Sequence, residues 1–467
     1  MQKIKVAKKK LTGWSNTTYS DSNTYQPTSY EELIEVLKFA LSKNLNVSIL
    51  GGMRSYSDNF LNSQLSIDTS IFNKMIDLHE NELTVQAGAT FYEVADFLKN
   101  KGFMLEVIPG SGHVTIGGAV SNNIHGKNAF KSGFFGNHVI EISFINLSNF
   151  RIEKCSRDHN PNIFRGIISG LGVIGIILEV KIKLKKIDYF TVTEKNVVLK
   201  NIENLFIKIN EVEKDADYLI ASLNLSSTLA KGSFAKLTYS KVSDLPIKRK
   251  VRLKFFPNFL SDWLIKLFFR FKLTYKLIEQ LFGIYSSGLF SSKQDTITDL
   301  FDSHYLNDVY IPKYNHFFKN GFFEYQCNIP KKNALDFFTF FQNEVKKINI
   351  KPLMTGLKSY SAAKENFLLS FQLDQNSYGF TFDFPNVDSN ELKSFFKVLN
   401  KKVINLGGKV YYAKTACLDL KEFELMYDVD QIKMFTEIKN QIDPNNLLMN
   451  NLYRRIFLGE ESLKNEY

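Results

Sequence analysis

Apolar residues at Leu33, Val36, Leu37, Ala40 and Leu41 recur at helical spacing and predict an amphipathic helix over 31–44. A compact apolar run follows at 46–50 and ends in Gly51-Gly52, the pattern of a buried strand leading into a turn. Short strands are predicted at 65–68 and 83–87, a second helix at 92–101 stopped by Gly102, and longer strands at 139–146 and 174–184. Strands and helices mix without strict alternation, so the class is α+β rather than a doubly wound α/β sheet. From Ile187 the pattern changes: strands are predicted at 218–225, 322–329, 367–373 and 379–384, and glycine turns become scarce until Gly407-Gly408. The expected organisation is a first domain in two parts, 1–187 and 407–467, with a second domain of 188–406 inserted between them and built on an antiparallel sheet.

At 467 residues the chain is long enough for such an arrangement, and 44% hydrophobic with 23% charged residues is ordinary for a globular protein. Forty-two Phe and 21 Tyr predict aromatic packing and suit a site for a flat ring. A net charge of +11 points to an anionic partner: a phosphorylated substrate, an acidic membrane surface or nucleic acid. No nucleic-acid-binding motif accompanies the charge. Cys155, Cys327 and Cys417 are far apart without metal spacing, which predicts free thiols in a reducing compartment and no metal site. The basic N-terminus lacks the apolar segment of a signal peptide, and no stretch approaches the ~20 apolar residues of a spanning helix. The expected location is cytoplasmic.

The candidate chemistry lies in three glycine segments. Gly51-Gly52-Met53-Arg54-Ser55-Tyr56 follows a strand directly; its backbone donors and Arg54 suit a pyrophosphate, although an ordinary strand-to-loop turn looks the same. Pro109-Gly110-Ser111-Gly112, Thr115 and Gly117-Gly118-Ala119 form a bed that permits close approach of a planar or phosphorylated ligand. Asn122, His125, Gly126, Lys127 and Asn128 follow at once, and Gly126, Gly133 and Gly136 are expected to keep this stretch from becoming a helix. Gly170-Leu-Gly172-Val-Ile-Gly175 spells the dinucleotide fingerprint, but Glu179, Lys181 and Lys183 alternate with apolar residues after it, so a strand follows where that fingerprint needs a helix. Nicotinamide binding is a poor reading.

The Ile-His125-Gly-Lys-Asn and Gly136-Asn-His138-Val segments, with the Gly51-Gly52 loop, resemble the flavin-cradling segments of FAD-linked oxidases of the vanillyl-alcohol oxidase / p-cresol methylhydroxylase superfamily. Within it the likeness is greatest to the decaprenylphosphoryl-ribose 2′-oxidases, and it covers nearly the whole chain. The resemblance implies an FAD contact at Gly172 and Gly175. Tyr56 stands where covalent relatives carry histidine, which implies noncovalent FAD. It further implies a substrate pocket at Tyr310, Glu324, Gln326, Lys358, Thr381, Tyr411 and Lys414, with Thr381 in place of a pocket cysteine and Gly379 in place of an asparagine. Taken without the resemblance, each of these is an ordinary surface or half-buried residue. Lys414, His125 and Tyr411 are the implied catalytic residues, Lys414 holding the substrate hydroxylate or accepting its proton.

The reaction so implied is oxidation of a secondary hydroxyl, at C2, of a polyprenyl-phosphate-linked sugar to a ketone. A separate short-chain keto-reductase would complete an epimerisation in cell-envelope synthesis. The rivals are a flavoenzyme acting on a soluble sugar, alditol or hydroxy acid, and a non-catalytic scaffold with a degenerate flavin fold. Lys248-Arg-Lys250-Val-Arg252-Leu-Lys254, followed by an apolar segment with Trp263, Phe268 and Phe271, suits either a membrane-interface helix, peripheral at the inner membrane, or a helix packed in a core.

Overall fold

The computed structural model describes residues 6–225, 232–241, 295–305, 308–309, 314–318, 320–414 and 416–460. Tyr310 and the basic and apolar segments of 248–273 lie outside the described residues. Three sheets organise the described residues, and the class is α+β. The first is mixed, in the order β1 (Ala7–Thr12), β2 (Tyr19–Tyr25), β4 (Leu65–Asp68), β3 (Val47–Leu50); β3 and β2 both run parallel to β4. The second is antiparallel: β5 (Met75–His79), β6 (Glu82–Gln86), β10 (Ile176–Lys186), β8 (Val139–Asn146) and β9 (Arg151–Ser156), with β7 (Phe103–Leu105) also on β10.

The third sheet is antiparallel and eight-stranded: β14 (Thr296–Asp299), β11 (Thr191–Leu199), β13 (Gly232–Tyr239), β12 (Tyr218–Leu223), β16 (Met354–Tyr360), β17 (Ser377–Pro385), β15 (Phe322–Pro330), β18 (Lys409–Val410). Its two faces differ in chemistry because side chains alternate along a strand. Phe380, Phe382 and Phe384 point to one side, against Phe337 and Phe341 of the helix Ala334–Val345 and Phe395 and Phe396 of the helix Ser389–Asn405. Each fully buried Phe contributes about 1.5–3 kcal/mol. The opposite side carries Glu324, Gln326, Thr381, Asp383, Lys358 and Tyr360.

The chain's last described segment returns to the first sheet. Val47 exchanges backbone hydrogen bonds with Leu447 and Met449, and Asn451 donates to the Leu61 carbonyl. Arg455, on the helix Asn451–Phe457, forms a buried two-pronged ion pair with Asp58, 2.8 and 3.0 Å. Removing one partner of such a pair costs about 3–5 kcal/mol, so this contact pins the loop that carries Arg54 to Asn59.

Two sequence expectations require correction. Residues 367–373 are irregular, although Phe367, Leu368, Leu369 and Phe371 are buried. A short apolar run does not reveal its own conformation. Here the backbone is satisfied by side chains instead of a ladder: Asn328 donates to the Phe371 carbonyl and Lys409 to that of Ser370. The stretch whose glycines are expected to keep it from becoming a helix contains short ones: Ile116–Ser121, capped by the Thr115 hydroxyl at Gly118 N–H, Ala129–Ser132, which ends at Gly133, and the 3-10 turn Phe135–His138, which includes Gly136.

Candidate active site

The predicted bed is assembled from three loops. Gly51 and Gly52 pack so closely on Thr115 and the His113 carbonyl that a Cβ at either would collide with them. The Thr115 hydroxyl accepts from both Gly52 N–H and Gly118 N–H, each at 3.4 Å. Asn59 donates to the Asn122 side-chain carbonyl at 3.1 Å, and the turn at 169–172 lies alongside, with Leu171 N–H on the Ser121 carbonyl. Met53, Asn123, Ser169 and Leu171 border this bed with positive φ (48°, 40°, 66° and 58°). Such backbone costs of order 1–3 kcal/mol per residue and persists where the surroundings over-determine it.

The glycines do different jobs. Gly117 sits against Ala87, Gly126 against the Ile108 backbone and Gly175 against Phe144, so in these three the missing side chain is required by packing. Gly110 has nothing within 4 Å of its Cβ position, and Gly118 meets only the Thr115 hydroxyl. Of the two, only Gly110 faces open space; a Cβ at Gly118 would press on that hydroxyl at 3.1 Å.

The polar face of the third sheet closes the opposite side. His125 bridges the two halves: its Nε2 lies 3.0 Å from Gln326 Nε2, and its Nδ1 lies 3.4 Å from Lys358 Nζ and 3.3 Å from the Tyr360 hydroxyl. The Tyr411 hydroxyl donates to the Asn122 carbonyl at 3.1 Å, and its backbone N–H donates to the Gln326 carbonyl. Lys414 Nζ stands 3.0 Å from Glu324 Oε1 and 3.6 Å over the centre of the Tyr56 ring. That ring is itself held between Trp14 and Phe322. Lys358, Lys414, His125 and Glu324 thus converge beside the glycine bed.

Comparison with known proteins decides what the bed holds. An FAD binding domain family matches residues 22–156. The chain is 25% identical to the decaprenylphosphoryl-beta-D-ribose oxidase of Mycolicibacterium smegmatis, over 96% of this chain and 98% of that protein. It is 23% identical to the L-gulonolactone oxidase of Bos taurus, again over 96% and 98%, and 25% identical to the D-arabinono-1,4-lactone oxidase of Candida glabrata over 42% and 37%. The chain carries an FAD binding domain and is similar along nearly its whole length to FAD-linked oxidases of the vanillyl-alcohol oxidase / p-cresol methylhydroxylase superfamily. It is an FAD-dependent oxidoreductase acting on CH–OH groups.

The flavoprotein's own residues fit that cofactor. Arg54 Nε and Asn59 Oδ1 are buried without a partner among the described residues, which is costly unless a bound group satisfies them. The open backbone at Gly110 faces space that a Cβ would fill. Electrostatics beside the bed favour proton acceptance. Burial, then Lys358 and Lys414, hold the His125 imidazole well below its ordinary range, so it is neutral. Burial, then Lys414, pull the Lys358 ammonium down to about 8, with Glu324 opposing.

Most predicted residues converge. Lys127 turns away from the centre: its ammonium is hydrogen-bonded by the carbonyls of Ser303 and His304. Asn128 holds the Glu106 carbonyl at 2.7 Å. Thr381 lies between Gln326 and Gly356 on neighbouring strands, and Gly172 borders Ser121. Sequence reasoning passed over Asn59, Tyr360 and Asp383. The last two had a signal, since polar groups two apart (Lys358/Tyr360, Thr381/Asp383) within apolar strands mark one polar face.

Proposed function

We propose that this flavoprotein oxidises a secondary hydroxyl, at C2, of a polyprenyl-phosphate-linked pentose to the ketone, as one half of an epimerisation. The observation that carries this reading is the convergence of Lys414, Lys358 and His125 between the glycine bed and the polar sheet face. When bound, FAD supplies the acceptor for the hydride that leaves the carbinol carbon. Arg54, the Gly51-Gly52 loop and the backbone at Gly110 would hold its pyrophosphate, and Asn122, His125 and Tyr411 would border the reacting end of the site; the Gly112 N–H is instead taken by the Asp308 carboxylate. Lys414, as an ammonium, holds the substrate oxygen while negative charge develops on it. The neutral amine of Lys358, fixed by His125, takes the hydroxyl proton. Gln326, Thr381 and Tyr310 select the hydroxyl pattern.

The pentose reading is supported by the near-complete span of the match to the mycobacterial oxidase. The equally long match to a gulonolactone oxidase supports a second one, oxidation of a soluble aldonolactone or sugar. Further parts of the proposal are a division into cofactor parts 1–187 and 407–467 around a substrate part 188–406, noncovalent FAD, a keto-reductase that consumes the product, and attachment to an anionic membrane through 248–273. No helix among the described residues is long and apolar enough to cross a membrane.

The test is anaerobic bleaching of the purified enzyme with polyprenyl-phosphoryl pentoses, free sugars and aldonolactones. Fast bleaching by the lipid-linked pentoses alone is expected. Bleaching by lactones with none by the lipid-linked sugars overturns the reading in favour of the second.

A further inference from the structure

Glu324 on β15 and Asp383 on β17 are directly opposed in antiparallel register, so their carboxyls project from the same face of the sheet. Both residues are nearly inaccessible, 6% and 5% exposed. Like charges directly opposite one another on a sheet repel, and burial amplifies the effect. Among the described residues, the titratable groups facing the pair are the Lys414 ammonium, Lys358 from β16, and the hydroxyls of Tyr56, Tyr314, Tyr360 and Tyr411; the Tyr314 hydroxyl and the Lys414 charge favour an ionised Asp383, whose register partner on β16 is the apolar Met354. Lys414 binds Glu324, while Asp383 Oδ1 is buried with no hydrogen-bond partner. An ionised Asp383 would leave that oxygen's charge uncompensated; a protonated one has a hydrogen to donate across the strand pair.

We propose that Asp383 is a positioning residue that shares one proton with Glu324, so that the pair carries a single negative charge and that charge holds Lys414 over Tyr56. Burial, followed by the Glu324 charge, moves the Asp383 carboxyl upward in agreement with this geometry. Asp383 itself touches neither substrate nor cofactor in this arrangement. The role it gives Lys414, a retained ammonium and not a proton acceptor, rests on the reading proposed above; the shared proton does not.

The experiment is infrared spectroscopy of the whole flavoprotein at neutral pH, comparing wild type, Asp383→Asn and Glu324→Gln, with thermal midpoints followed across pH. A protonated-carboxyl stretching band is expected in wild type and is lost in Asp383→Asn. It is also lost in Glu324→Gln, because Asp383 then becomes the sole carboxylate facing Lys414 and ionises. Since the folded-state affinity of Asp383 for its proton is raised, the stability it confers is complete below the unfolded carboxyl range and declines as pH rises. Wild type should therefore lose stability relative to Asp383→Asn with increasing pH. Absence of the band in wild type, with parallel pH dependences, overturns the proposal. Persistence of the band in Glu324→Gln overturns the sharing, since burial alone would then protonate Asp383. Neither readout requires the substrate, so a failure here is separable from a wrong choice of sugar.

Discussion

Tyr360 occupies the space that a side chain at Gly379 would need: a Cβ there would collide with the tyrosine ring and its hydroxyl. The partner of Gly379 on β16 is Lys358, two residues from Tyr360. The glycine therefore lets Tyr360 reach Gln326 (3.3 Å) and His125. Gly379→Ala is expected to lower stability by about 1–3 kcal/mol, the usual cost of overpacking. Tyr360→Ala in the same chain should relieve most of that clash, giving a non-additive double-mutant cycle in thermal denaturation. Additive effects would show that the two residues are not in contact.

Noncovalent flavin is the proposed state, argued from Tyr56, which lies in an aromatic cluster with Trp14 and Phe322 under the Lys414 ammonium. Burial, then Glu324 and Asp383, move its hydroxyl further up, so it stays protonated and offers no nucleophile. Acid precipitation should release a yellow supernatant. Colour that stays with the pellet would refute this.

How much of this was legible in the sequence depended on whether a pattern was local. The helix Tyr30–Ser42 shows in its own spacing, and Ser29 caps it at Glu32 N–H. The bed shows because glycines cluster where backbones approach closely, as at Gly52 against His113. The fingerprint at Gly170 to Gly175 was correctly refused, since β10 follows it. Strands β1 and β2 were not legible: Lys8, Lys9 and Lys10 are exposed on an edge strand that buries only Leu11, so almost no apolar alternation remains. Nor could spacing show that Gly126 serves the Ile108 backbone, or that Asp383 opposes Glu324, because register between strands 59 residues apart is a tertiary property.

Lys414→Ala should retain FAD and fold but slow anaerobic flavin reduction by at least about a hundredfold, the scale of one lost oxyanion contact. Lys414→Arg should not restore the rate. A compact ammonium fits between a carboxylate at 3.0 Å and a ring face at 3.6 Å, whereas a planar guanidinium needs a different geometry. Stopped-flow reduction of the variants checks this, and near-normal rates with alanine would remove Lys414 from the reaction.

Membrane attachment is proposed through residues 248–273, which lie outside the described part of the chain. Anionic lipid attracts each well-placed Lys or Arg by about 1 kcal/mol, and Trp263, Phe268 and Phe271 could then insert. Acidic liposomes should sediment the protein in a salt-sensitive way. Reversing Arg249, Lys250, Arg252 and Lys254 to Glu should abolish this while leaving the flavin spectrum unchanged. Equal sedimentation of both proteins would count against the segment.

Lys358 sets the expected pH dependence. Its amine, drawn down to about 8 by burial and by Lys414, is mostly protonated at pH 7 and cannot then accept a proton. Flavin reduction should therefore rise with pH and level off above about 8. Lys358→Met should be much slower and lose that rising limb, while His125→Asn, which frees the amine from its 3.4 Å neighbour, should shift it. The stability effect has a definite sign as well. A lysine whose folded affinity for protons is depressed opposes folding below the folded value, and the penalty fades as pH rises toward the ordinary lysine range. The thermal midpoint of Lys358→Met should thus exceed that of wild type at pH 7, with the gap narrowing above pH 8. A wild-type rate that is flat between pH 6 and 9 in anaerobic stopped-flow would require the proton to leave by another group, with His125 next in line because burial already keeps it neutral.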